Sequence, residues 1–352
     1  LATEATRLAE RVLQGSRRAL ARLITQVENE NPAARPSLAA LYPHTGRAHI
    51  IGVTGAPGCG KSTLVNEIAK RFRRDGETVG IVAVDPTSPF SGGAVLGDRI
   101  RMRDLAGDEG IFIRSMASRG SLGGLARATG EVVKLLDAAG FDIVIVETVG
   151  AGQSEVDIAK AAHTTLVVQA PGMGDDIQAI KAGILEIADI FAVNKADRPG
   201  AENTVKALQM MQRLGNYNDG RLRRHHDRLT QNNTSEPWVP PILQTVGTDG
   251  KGVAEVVTAI REHRAYLHDS GEFQARETAR VETEFATLLR EALLNDLLDR
   301  IPAGQIDATL SQVVAREVDP YTAVERLLAA GYNSEFRMER RFYSDLRGKA
   351  FD

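Results

Sequence analysis

From Ile50 to about His268 the chain alternates short β-branched apolar runs with longer stretches whose apolar positions recur every three or four residues. Continuous apolar runs suit strands buried on both faces, so the alternation predicts an α/β class fold, a mostly parallel sheet with helices on both faces. The expected strands are 50–54, 79–85, 111–115, 143–147, 164–169, 190–194 and 242–245. Before them, Leu8, Val12, Leu20, Leu23, Ile24 and Val27 fall at helical spacing, which predicts one or two packing helices over Leu1 to Asn31. Gly15-Ser16 breaks or caps that run, and Pro32 to Pro36 ends it. Beyond Gly271 the pattern is purely helical: Phe285, Leu289, Leu293 and Leu297, widened by Leu288, Leu294 and Leu298, mark a long charged helix whose apolar face needs a cover. Ile301-Pro302-Ala303-Gly304 interrupts it, and Asp319-Pro320 reads as the cap and first residue of a later helix. The expected division is an N-terminal helical extension over 1–46, a central domain over 47–270 and a helical arm over 271–352. Spacing leaves open whether the arm covers a second copy or folds back on its own sheet.

Composition narrows the function classes. A formal charge of −3 and a pI near 6.2 leave no electrostatic footprint for nucleic acid or an anionic membrane. Cys59 is the single cysteine, which excludes an internal disulfide and a thiolate metal cluster. No apolar run reaches membrane-spanning length and no signal-peptide pattern opens the chain, which predicts a soluble protein of a reducing compartment: cytoplasmic, or the mitochondrial matrix in a eukaryote. Leu1 in place of Met leaves room for a segment upstream.

The chemistry gathers at the predicted strand ends, where ligands collect in open α/β sheets. Gly55-Ala56-Pro57-Gly58-Cys59-Gly60-Lys61-Ser62-Thr63 follows the first strand and precedes a helix, the context a phosphate-binding loop requires. Its glycines let successive N–H groups face inward, and the helix N-terminus adds partial positive charge. Lys61 would reach the terminal phosphates and Ser62 would coordinate Mg²⁺. The second strand closes on Asp85, a carboxylate at the rim where the metal would lie. Then Ser91 to Met102 sets flexible glycines beside Asp98, which suits a loop that orders around Mg²⁺ and the last phosphate, and equally suits a surface loop capping a helix. The fourth strand ends at Glu147 with Gly150 three residues on: the carboxylate reaches the metal's water shell, and the glycine N–H senses the γ-phosphate. Gln153 fits a water-orienting residue and fits a solvated one as well. Asp175 and Asp176 fit a mobile loop or an ordinary acidic helix start.

Asn194-Lys195-Ala196-Asp197 selects the base. A carboxylate accepting from two ring-edge donors matches guanine N1–H and N2–H₂, and adenine offers no such pair, so Asp197 implies GTP or GDP rather than ATP.

The combination resembles the MeaB/ArgK/MMAA family of GTPases, chaperones of adenosylcobalamin-dependent acyl-CoA mutases. The resemblance covers most of the chain: Gly15 to Leu20 with Ile24 to Glu28, Val82 to Ser88, Gly92-Gly93 with Leu96 to Met102, Met116 to Gly120 with Leu122 to Leu125, Glu147 to Glu155, and Pro171 to Gln178. It implies a P-loop NTPase fold, GTP/GDP and Mg²⁺ as ligands, phosphate binding by Lys61 and a metal environment of Ser62, Asp85, Asp98 and Glu147. Catalysis is expected to use Lys61 on the phosphates, with the water activated by Asp98, by Gln153 or by a group ordered only when the mutase docks. Gln153 and the 172–181 loop with Lys181 would be switches sensing the client mutase, methylmalonyl-CoA mutase or a relative. The helical arm would make a homodimer. The base-cradling stretch corresponds to Val246-Gly247-Thr248, where the usual Ser-Ala is absent. Ser121 stands where many relatives carry His, Ala151 where Val is frequent, and Gly215 to Ser235, with His225-His226, reads as a polar insertion.

Rival classes meet specific objections. Metal-insertion GTPases need Cys/His clusters, and a targeting GTPase needs a methionine-rich groove that six scattered Met do not provide. The alternative that stays open is a P-loop kinase or transport-associated ATPase or GTPase of the ArgK type, although a kinase has no need of the guanine tetrapeptide.

Overall fold

The computed structural model describes residues 2–86, 102–105, 107–118, 124–148, 162–172, 187–218 and 237–331. Seven parallel strands form one sheet: β1 (His49–Gly55), β2 (Val79–Pro86), β3 (Ile111–Ser118), β4 (Ile143–Thr148), β5 (Thr164–Gln169), β6 (Ile190–Val193) and β7 (Ile242–Gln244). Their order is β3-β2-β4-β1-β5-β6-β7: β1 sits at the centre, β5 to β7 follow outward on one side, and on the other the chain runs out through β2 to β3 before β4 returns between β2 and β1. All seven expected strands are present, and so is the two-faced cover.

Side-chain alternation divides the core. On β1, Ile50 faces one layer while Ile51 and Val53 face the other; on β4, Val144 and Val146 oppose Ile143 and Ile145. One layer holds the N-terminal helices α1 (Ala2–Leu13), α2 (Arg17–Glu28) and α3 (Arg35–Leu41), with α5 (Gly124–Ala138) lying on β2 and β4. The other holds α4 (Lys61–Arg74) and α7 (Val253–Asp269), which pack on each other over Ile51, Ile81 and Ile145. On the first face again, α6 (Ala201–Asn218) covers Val167, Phe191 and Val193. Phe72, at the end of α4, is fully buried in the second layer.

Gly15-Ser16 separates α1 from α2, with the Ser16 hydroxyl accepting from Ala19 N at 3.4 Å. The third helix departs from expectation: Pro36 opens α3 where the sequence suggested only an ending, because proline is at home in a first helical turn. Asp137 on α5 accepts from the N–H groups of Gly46, Arg47 and Ala48 at 2.5, 3.1 and 2.9 Å, fixing the entry into β1. Among the described residues no helix is long and apolar enough to cross a membrane.

The chain divides into two compact units, Leu1–Arg276 and Glu277–Asp352. The long helix α8 (Glu272–Arg300) begins in the first and runs through the second, which also holds α9 (Gln305–Val314) and α10 (Pro320–Gly331). Asp319 caps α10, accepting from Tyr321 N and Thr322 N, both at 3.0 Å, with Pro320 as first residue. On α8, Phe285 is 66% exposed, Leu293 52% and Leu294 55%, so the broad apolar face keeps its need for a cover.

Candidate nucleotide-binding site

The carboxyl ends of β1, β4 and β6 converge on the loop between β1 and α4. Gly55 has φ 142°, and a Cβ there would collide with the Val168 carbonyl; Gly60 has φ 94°, and a Cβ there would stand 2.5 Å from Asn194 Nδ2. Only glycine fits either position, so the loop passes closer to its neighbours than any side chain would permit. Gly60 precedes α4 without a side-chain cap, which leaves the first N–H groups of the helix directed at the loop.

Within this frame Lys61 is buried, and its ammonium donates to Gly55 O at 2.9 Å and Ala56 O at 3.1 Å. Ser62 Oγ donates to Glu147 Oε1 at 2.6 Å, joining the start of α4 to the end of β4. A hydroxyl and a carboxylate so placed form a hard oxygen pair that suits Mg²⁺. Burial pushes the Cys59 thiol up, against the pull of the nearby Lys61 charge, so the thiol stays neutral. Among the described residues no group of three His, Cys, Asp or Glu is placed to hold a metal ion, so none forms a cargo-metal cluster.

At the end of β6, Asn194 is a hub. Its Nδ2 donates to Cys59 O at 2.9 Å, and its Oδ1 accepts from Gly247 N at 3.0 Å and Thr245 Oγ1 at 3.2 Å. One amide thereby ties the phosphate loop to the stretch after β7. Lys195, left-handed at φ 58°, donates to Gly58 O at 2.6 Å, and Ala196 N bonds to Thr245 O at 3.0 Å. Asp197 lines a pocket with Ala196, Gln244, Thr245, Val246, Asp249 and Lys251. Thr248 Oγ1 donates to Asp249 Oδ1 at 2.8 Å, and an antiparallel bridge from Val246 to Lys251 closes this turn.

The structure therefore brings together Gly55 to Thr63, Glu147, Asn194, Lys195, Asp197 and Val246 to Thr248. Asp85 lies in β2 beside Ala117 of β3, its side chain outside the described residues. Asp98, Ser121, Gly150, Ala151, Gln153, Asp175, Asp176, Lys181 and the insertion beyond Asn218 also lie outside them. Sequence reasoning missed Thr245 and the bracing of the loop by Asn194 and Lys195. The available signal was the placement of both residues at a strand end beside the glycine loop.

Comparison with known proteins agrees with this geometry. The family described as methylmalonyl-CoA mutase-associated GTPase MeaB matches residues 20–301. The chain is 47% identical to a putative GTPase of Pyrococcus horikoshii over 321 residues, which cover 91% of this chain and 96% of that one. It is 36% identical to the GTPase ArgK of Escherichia coli (90% and 93% covered) and 30% identical to the mitochondrial methylmalonic aciduria type A homolog of Mus musculus (92% and 79% covered). A crystal structure described as a LAO/AO transport system kinase superposes with TM-score 0.65 at 29% identity, covering 92% of this chain and 96% of that one. With a parallel sheet presenting a glycine loop, a buried lysine and a guanine-type tetrapeptide at one rim, the chain belongs to the MeaB family of P-loop GTPases.

Proposed function

We propose that this GTPase is a nucleotide-driven switch serving as chaperone for an adenosylcobalamin-dependent acyl-CoA mutase, methylmalonyl-CoA mutase or a relative, in cofactor loading, protection or reactivation. The observation that carries the nucleotide chemistry is the convergence of Lys61, the Ser62–Glu147 pair and the Asn194 hub on one loop. The family description and the mammalian relative support the client.

In this reading the loop N–H groups and Lys61 hold the β- and γ-phosphates, and Asp197 accepts from the guanine edge, with Val246, Gly247 and Thr248 beside the base. Lys61 leaves its carbonyl partners for the phosphates, an exchange of neutral acceptors for charged ones. Ser62, Glu147, Asp85 and Asp98 would hold Mg²⁺, which when bound neutralises charge on the phosphate oxygens. Water attacks the γ-phosphorus in line, the bond to the bridging oxygen breaks, and GDP and phosphate leave. Most of the catalysis is positioning and electrostatic stabilisation. Asp98 or Gln153 would orient the water, giving slow turnover until the client docks. Residues 1–46 form an extension, 47–270 the GTPase domain and 271–352 the arm through which two copies pair, consistent with the exposed leucines of α8.

The test is GTP hydrolysis by the full chain, alone and with a purified adenosylcobalamin-dependent mutase. Faster phosphate release with the mutase and a nucleotide-dependent complex support the proposal. Transfer of phosphate to a small acceptor, with no response to the mutase, would replace it with the kinase alternative.

A further inference from the structure

The end of the sheet opposite the nucleotide site carries a largely buried polar cluster that the GTPase chemistry does not use. Asp189, just before β6, receives Arg276 from the first turn of α8: Nη2 lies 3.1 Å from Oδ1 and Nη1 3.3 Å from Oδ2, and Nη1 also donates to His163 O at 2.8 Å. His263 of α7, fully buried, lies with Nε2 3.3 Å from Asp189 Oδ1 and Nδ1 2.8 Å from Thr164 Oγ1. The same hydroxyl lies 2.8 Å from His49 Nε2 at the start of β1. Trp238, the chain's one tryptophan, donates to Asp189 O at 2.8 Å and packs on His263 at 4.9 Å and Tyr266 at 5.6 Å between ring centroids. Tyr266 OH donates to Glu272 Oε1 at 2.6 Å, adding a second tie to the same helical turn.

Thr164 Oγ1 stands between the two rings, 2.8 Å from His263 Nδ1 and 2.8 Å from His49 Nε2, so one ring donates to the hydroxyl and the other accepts from it. His263 Nε2 faces Asp189 Oδ1 at 3.3 Å without hydrogen-bond geometry. His49 Nδ1 is left as a buried atom with no hydrogen-bond partner. A second proton on the His49 ring leaves Nδ1–H without an acceptor and adds charge among His163, His263, His268 and Arg264, near Arg276, which already holds Asp189, with Glu272 beyond it.

We propose that His49, Thr164, His263, Asp189 and Arg276 form a proton-sensitive latch that fastens the first turn of α8 to the amino edge of the GTPase sheet and releases it on acidification. Burial, followed by the neighbouring His163, Arg264, His263 and His268, holds His49 well below its ordinary range. Burial works to raise the Asp189 carboxyl, but His263 and Arg276 outweigh it and hold it well below the carboxylate range, so the clamp stays charged while His49 titrates. The sign follows: below about pH 6.5 the released state takes up a proton that the latched state refuses, so the latch weakens as pH falls from there towards the folded pKa. A fully coupled proton gives about tenfold per pH unit in that window.

Hydrogen exchange of the full chain, corrected for intrinsic rates, tests this between pH 7.5 and 5. The expected result is about tenfold faster exchange per pH unit below 6.5 for amides of the first turns of α8, while those of β1 and β5 hold. His49→Gln should abolish the pH dependence, and Arg276→Lys should show fast exchange already at pH 7.5. Equal acceleration across the sheet, no acceleration at all, or an unchanged profile in His49→Gln would overturn the latch. Should His49→Gln not fold, the wild-type chain decides: acceleration with onset at about pH 6.5 confined to the α8 amides supports the latch, and acceleration shared by β1 and β5 overturns it.

Discussion

Replacing Asn194 separates bracing of the phosphate loop from simple contact with the base. The side chain is 2% exposed and serves three partners: Cys59 O at 2.9 Å, Gly247 N at 3.0 Å and Thr245 Oγ1 at 3.2 Å. In Asn194→Ala all three lose their partner in a dry site, at about 1 kcal/mol net apiece, or roughly 3 kcal/mol together. If the loop must be held for phosphate to bind, that loss appears in affinity as roughly a hundredfold weaker GDP binding. Asn194→Asp is the sharper variant. It keeps acceptors for Gly247 and Thr245 but sets an oxygen against the Cys59 carbonyl, so its loss should equal or exceed that of the alanine. Titration with fluorescent GDP, alongside urea unfolding of the nucleotide-free chain, reads both effects. Affinity within about threefold of wild type in both variants, with stability within about 0.5 kcal/mol, would refute the bracing role.

Other expectations follow from the same site and from the core beneath it. Lys61→Ala should cut phosphate release by about two to three orders of magnitude, as loss of a preorganised donor does, with the circular dichroism spectrum unchanged; undiminished hydrolysis would remove the mechanism. Asp197→Asn should relax the preference for GTP over ATP, read by competition binding, and a retained strict preference would count against the guanine assignment. Phe72→Ala, at a fully buried position on α4, should cost about 3–5 kcal/mol in urea unfolding; a loss under about 1 kcal/mol would mean that the layer between α4 and the sheet is not close-packed.

The alternating apolar runs determined the seven strands and the class of fold, because a strand buried on both faces has to be apolar along its whole length whatever lies beside it. The phosphate loop was equally legible: its glycines, Lys61 and Ser62 act within a few residues of one another, so the motif carries its own geometry. The leucines of α8 announced a face in need of a cover, and that need persists in the structure. Pro36 misled because a proline ends one helix and begins another with the same stereochemistry, and only packing selects between them. Tertiary structure alone decided the order β3-β2-β4-β1-β5-β6-β7, since periodicity reports which face a residue takes and not which strand lies alongside. It alone set Asn194 on Cys59, 135 residues away, and Arg276 on Asp189, 87 residues away. Contacts of that span leave no local trace, because each partner's residue type would serve equally well as a solvated surface group until the fold removes water from around it.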